Sequence, residues 1–263
     1  MSVKIAFMAA VLLLGSPLPA MAWGPEGHEI VAIIAADHLT PRARAAVAGL
    51  LGGDAQSEMV LDAPWADDVR DDRPETADWH FVDIEIGSAG YDAARDCPHG
   101  NCVVAQIAKD ARILSDPHAP HGAKTEALEF LIHFVGDVHQ PLHCADRHDE
   151  GGNRLTVHMG RRRTSLHRIW DGPVVTALGR DPARVATNIE AHLAPAQMAA
   201  MQASRDPAAW ANESFAIAGQ VYAGVPEDRR LSPDYPWAQA GIVRLQLARA
   251  GLRLAAMLNA VFR

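Results

Sequence analysis

The run FLIHFVGDVHQPLH, Phe130 to His143, constrains this 263-residue chain more than any other stretch. His133, Asp137, His139 and His143 interrupt what is otherwise Leu, Ile, Phe and Val, so titratable groups fall where a buried helix would be dry. Positions i and i+4 share one helix face, which stacks His133 and Asp137 as converging groups. Pro141 is expected to end the helix and let His143 turn back toward the same pocket. A single buried histidine would read most simply as a hydrogen-bonded core residue. A buried, unpaired carboxylate costs several kcal/mol, so Asp137 calls for a cation. No Lys or Arg lies between Lys124 and Arg147, which makes a metal ion the leading candidate. His167 and Asp171 in SLHRIWDG repeat the HxxxD spacing, and two such pairs carry far more weight than one.

At 49% hydrophobic and 21% charged, the chain suits one globular domain with a sizeable core. Residues 1–22 read as a signal peptide: Lys4 precedes the apolar run Ile5 to Leu14, and Ala20-Met21-Ala22 forms an A-x-A cleavage site. The run is too short to span a bilayer comfortably. The expectation is an exported protein, periplasmic or secreted, of residues 23–263, without stable membrane association. A formal charge of −8 argues against duplex binding through a broad basic surface. Cys97 and Cys102 bracket CPHGNC, where export favours a small-loop disulfide over a metal knuckle with His99. Cys144, beside His143, reads as a small buried residue, with an oxidisable or metal-binding thiol as the alternative.

The mature chain would open with Trp23, whose α-amine has a pKa of about 8 and can ligate a metal, and His28 follows within a helix. Thr40-Pro41, Asp181-Pro182 and Asp206-Pro207 signal helix starts. In PWADDVRDDRP, Asp67 is expected to face inward and Asp71 and Asp72 to face water. Trp79 to Ile86 reads as extended, with His80, Val82 and Ile84 on one side and Phe81 and Asp83 on the other. Helices are expected at residues 102–114 and 124–138, and a brief hairpin around Leu155 and Val157. Arg161 to Arg163 form the only basic cluster, read as a solvated turn with phosphate attraction as the lesser alternative. The last helix, residues 237–262, holds no candidate ligand and reads as a wall behind the site. Asn212-Glu213-Ser214 is a glycosylation sequon, meaningful only on an exposed helix. The fold class is therefore all-α, a mostly helical single domain with a short β-hairpin.

The candidate ligands are Trp23, His28, Asp67, His80, His133, Asp137, His143, His167 and Asp171. Imidazole and carboxylate without thiolate favour Zn²⁺. So many groups exceed one tetrahedral ion and suffice for three if a carboxylate bridges. Clustered hydrolytic metals act on phosphate esters.

Together, WAD, WHF, HFVGDVHQPLH, GGN and LHRIWD resemble the single-strand-specific, three-zinc nucleases of the nuclease S-one and P-one type, related in fold to zinc-dependent phospholipase C. The resemblance implies one zinc on Asp67, His80, His133 and Asp137. It implies a second on Trp23, His28 and the shared Asp137, and a third on His143, His167 and Asp171. It assigns Arg70 to the phosphoryl oxygens, and Phe81 and Asp83 to a nucleobase. It implies a monomer that cuts single-stranded DNA and RNA to 5′-phosphorylated products and also acts on 3′-nucleotides. Ser165 and Gly172 depart from the family pattern. The competing readings are a phospholipase C on the same scaffold and a non-enzymatic exported zinc-binding protein, neither of which needs Phe81 and Asp83 as a pair.

Overall fold

The computed structural model describes residues 23–263, so the signal peptide assigned to residues 1–22 lies outside the described residues. The fold is built around a central helix, His121–Asp137, whose last two turns, Phe130 to Asp137, are buried on every side. A helix apolar all round can only be an interior one. Against it pack the helix Val103–Ser115, the first helix, Gly24–Asp37, and the last helix, Ala240–Val261. The first and last helices cross closely: a Cβ on Gly251 would stand 2.5 Å from Cβ of Ile34, so only glycine allows this approach. The buried apolar residues form one continuous cluster from Trp23 to Leu258. Among the described residues no helix is long and apolar enough to cross a membrane.

The helix starts follow their capping residues. Thr40 accepts a hydrogen bond from the Ala43 amide, and Asp181 and Asp206 cap Pro182–Ala191 and Pro207–Ala223 in the same manner. Several expected boundaries differ: the last helix begins at Ala240, Trp237 belonging to a separate short helix, Tyr235–Ala238. The central helix starts at His121 rather than Lys124 and closes at Asp137, before Pro141, because the residue preceding a proline is biased out of helix. Gln140 is accordingly extended, and Pro141 opens a 3₁₀ turn, Pro141–Cys144. Trp79 and His80 end another 3₁₀ helix, Pro74–His80, and the extended stretch begins only at Phe81. From there the expected alternation holds, with Val82 and Ile84 buried and Asp83 facing outward.

The hairpin consists of β1, Thr156–Met159, and β2, Arg162–Ser165. A two-residue strand, β3, Arg230–Leu231, joins β1 in parallel, giving the order β2-β1-β3. The sequence carried no signal for β3, which is too short to show alternation. Cys97 and Cys102 form a disulfide. In the sequon, Ser214 is fully buried and donates to the Val138 carbonyl, while the Asn212 side chain is tied to Tyr91 and Ala208. Asn212 itself is exposed, and only the Ser214 hydroxyl is withdrawn into the core.

Asp110, on Val103–Ser115, is buried away from the histidines. Burial pushes its carboxyl up to about 7 against the pull of Lys109, with Glu126 adding a smaller push. Because the folded value lies above the ordinary 3.8, the folded state holds this proton more tightly than the unfolded chain. That contribution is full below pH 3.8 and is lost as pH rises through about 7, by at most roughly 1.4 kcal/mol per pH unit. Asp110→Asn is expected to raise the urea midpoint relative to the parent at pH 8 and to leave it little changed at pH 4. Equal midpoints at both pH values would refute the assignment.

Candidate metal centre and cleft

Six segments bring the candidate ligands together. The first helix supplies His28, the short helix Trp65–Asp68 supplies Asp67, and Pro74–His80 ends on His80. The central helix supplies His133 and Asp137 one turn apart. His143 follows on the 3₁₀ turn, and Leu166–Asp171 carries both His167 and Asp171. Their ligand atoms fall into three compact groups: His28, His133 and Asp137; Asp67, His80 and His133; and His143, His167 and Asp171.

Asp137 is the hub. Its carboxylate lies 3.4 Å from His28 Nε2, 3.4 Å from His133 Nε2 and 3.0 Å from His80 Nδ1. Asp67 approaches His80 Nδ1 at 3.6 Å and His133 Nε2 at 3.7 Å. In the third group His167 Nε2 stands 3.6 Å from Asp171.

Backbone carbonyls decide which ring nitrogens are bare. His133 Nδ1 donates to the Ala63 carbonyl at 2.7 Å, His143 Nδ1 to that of His80 at 2.8 Å, and His167 Nδ1 to that of Gly151 at 2.7 Å. A neutral imidazole has one N–H, so the Nε2 atoms of all three carry lone pairs. The Nε2 atoms of His143 and His167 then face each other at 3.1 Å as two acceptors, and His133 Nε2 faces two carboxylates. Each leaves acceptors facing acceptors, an arrangement that a metal cation would relieve. Consistently, His28 Nε2, His133 Nε2, Asp137 Oδ1 and Asp171 Oδ2 are buried without a hydrogen-bond partner.

Burial dominates the electrostatics. It lowers the His28 imidazole well below the usual range, with His133 and His143 adding to the effect, and it lowers His143 likewise, with His167 adding. It brings His80 and His167 down to about 4. Conversely, burial drives the carboxyls of Asp137 and Asp171 well above the carboxylate range. The imidazoles are thus ready as neutral ligands, and the carboxylates require compensating charge to ionise.

Trp23 is fully buried at the start of the first helix, its indole N–H donating to the Gly136 carbonyl at 2.9 Å. Beneath His28 the central helix must be bare, since a Cβ on Gly136 would meet His28 Nδ1 at 2.6 Å. Arg70 donates to the Ala77 carbonyl at 3.0 Å, and its charge also reaches Asp137, His80, His143 and His167. With Phe81, Asp83, His143 and His167 it lines a cleft of about 930 Å³. The third group therefore opens to solvent, and the two groups sharing His133 lie deeper.

Several contributors escaped the sequence reading. Gln140 is fully buried; its amide N–H donates to Asp171 at 2.8 Å while its oxygen accepts from Leu142 N, which fixes the carboxylate. Gly151, at φ 59°, supplies the carbonyl that sets the His167 tautomer, and a Cβ there would meet the Leu142 oxygen at 2.4 Å. Ser165 caps Leu166–Asp171 through the Arg168 amide. His139 stays out of the groups altogether: Nδ1 donates to Val135 O, and Arg253, itself paired with Glu213, donates to Nε2. Cys144 is buried with its thiol directed to the Val138 carbonyl and its ionisation pushed up by burial, in keeping with the small buried residue expected.

The sequence pattern of the S1/P1 Nuclease family matches residues 23–263. Endonuclease 4 of Arabidopsis thaliana is 32% identical over 92% of this chain and 90% of its own length. Nuclease P1 of Penicillium citrinum is 28% identical over 91% and 97% of the two chains. Nuclease S1 of Aspergillus oryzae is 35% identical over 57% of this chain and 53% of its own.

Proposed function

Because the chain belongs to the S1/P1 nuclease family, we propose that it is a three-zinc endonuclease that cuts single-stranded DNA and RNA to 5′-phosphorylated products. We propose that it also removes phosphate from 3′-nucleotides and works as a single exported domain of residues 23–263. The observation that carries the metal assignment is the set of bare, buried ligand atoms, above all the facing Nε2 atoms of His143 and His167. Hard oxygen and imidazole donors without thiolate suit Zn²⁺.

The residues would divide as Asp67, His80, His133 and Asp137 for one ion, and Trp23, His28 and Asp137 for the second. His143, His167 and Asp171 would hold the third. Removal of residues 1–22 would give Trp23 the free amine that this role needs. Bound there, the ions would supply Lewis acidity at phosphorus, a nucleophile at neutral pH and charge for the departing 3′ oxygen.

Around them the protein's own groups orient the substrate. Arg70 lies on the cleft wall with His143 and would donate to the phosphoryl oxygens as charge develops on them. Phe81 offers an aromatic face to a base, and Asp83 beside it accepts from the base edge. A paired base cannot present its face, which supports the single-strand preference. The same pair speaks against a phospholipase.

Arg70→Ala is expected to keep the zinc content and to lower kcat on single-stranded DNA by about 10²–10³, the scale for losing one preorganised donor. Metal analysis beside single- and double-stranded digests, with product ends identified, checks both halves. Unimpaired hydrolysis, equal cutting of duplex, or 3′-phosphate ends would overturn the reading.

A further inference from the structure

All four residues of β2, Arg162 to Ser165, line the same cleft as His143 and His167. Successive side chains of a strand point to opposite sides, so the whole strand contributes only if it lies edge-on along the cleft. β2 is the edge strand of the sheet, with β1 on one side and no strand on the other among the described residues. Arg162 and Arg163 are exposed and form no ion pair among the described residues, whereas the nearby Arg154 is paired with Glu150. Their charge is therefore available to a ligand. Other segments bring Phe81, Asp78 and Asp83 to the same cleft. A polyanion entering the cleft of a protein with a formal charge of −8 is repelled by such carboxylates and drawn to the cations of the lining, of which Arg162 and Arg163 lie along one strand.

Resting on the nuclease reading above, we propose that Arg162 and Arg163 form a phosphate-binding rail that holds the backbone of a single strand beside the cut site, its bases turned toward Phe81. The rail is in fixed register with the open metal group, since β2 runs directly into Leu166–Asp171 through the Ser165 cap. The proposal takes up the lesser reading of the arginine cluster, phosphate attraction, on side chains that are exposed as the solvated reading expects. It also separates long substrates from short ones: a mononucleotide has no flanking phosphate to reach the rail.

The test is binding of a fluorescently labelled, single-stranded phosphorothioate octanucleotide to the zinc-loaded protein, read by anisotropy across a salt series. The variant R162Q/R163Q is expected to bind roughly tenfold more weakly at low salt, its log–log salt slope reduced by about 0.7 per lost phosphate contact. R162K/R163K keeps the charge and is expected to keep most of the slope, which separates a charge role from damage to the hairpin. Parental affinity and slope in R162Q/R163Q, or no binding by the parent, would overturn the rail. Cleavage of the unmodified octanucleotide by the parent tests the nuclease reading separately. Binding through the arginines without cleavage removes that reading and leaves the rail, while cleavage with unchanged R162Q/R163Q binding does the reverse.

Discussion

Asp137→Asn is expected to abolish hydrolysis, with kcat/KM lower by at least roughly 10³-fold, and to remove zinc from both groups that meet at this carboxylate. The reason is the position of Asp137, within 3.4 Å of ring nitrogens of His28, His80 and His133. An amide of the same shape leaves the packing intact but cannot bridge two cations. It does something further in the absence of metal: its N–H₂ can donate to the bare His133 Nε2, and the burial that drives the Asp137 carboxyl up has no charge to oppose. The variant should therefore be less stable than the parent with zinc present and more stable than the parent after chelation. Metal analysis and thermal melts with and without EDTA check the crossing. Full zinc content with parental activity would remove Asp137 from its central role.

Chelation of the parent gives the second large effect, complete loss of hydrolysis together with a fall in Tm. Saturating a site at a thousand times its Kd is worth about 4 kcal/mol. At roughly 2–4 °C per kcal/mol for a domain of this size, stripping even one tight ion lowers Tm by about ten degrees. The gap has a pH sign. Asp137 and Asp171 have folded values raised by burial in the metal-free protein, so their contribution to that state is full at low pH and is lost as pH rises through the raised values. Metal holds them ionised and relieves that loss. The imidazoles of His80 and His167, at about 4, are neutral near pH 7 with or without metal and do not alter the difference there. The Tm gap between loaded and stripped protein should therefore widen from pH 5 to pH 7.5. A gap that vanishes, or that narrows as pH rises, contradicts metal binding at these carboxylates.

Much of this was legible in the residues because the ligand spacing is also a helical spacing. His133 with Asp137, and His167 with Asp171, are one turn apart in any helix, so the pairs could be read before the fold was known. Capping at Thr40, Asp181 and Asp206 is local for the same reason. What could not be read depends on distant backbone. The carbonyls of Ala63, His80 and Gly151 select the tautomers of three histidines, yet any residue has a carbonyl, and only the fold says which one arrives. Gln140 carries no signal of its own in the sequence, and its role shows only where its amide meets Asp171. Likewise, a strand four residues long says nothing of which cleft its arginines will line.

The last helix grips the turn that links Asp137 to His143. Gln246 donates to the His139 carbonyl and Arg253 to its ring, while Gly251 receives the helix that bears His28. An element without a ligand of its own thus braces two of the segments that build the centre, the stretch between Asp137 and His143 and the helix carrying His28.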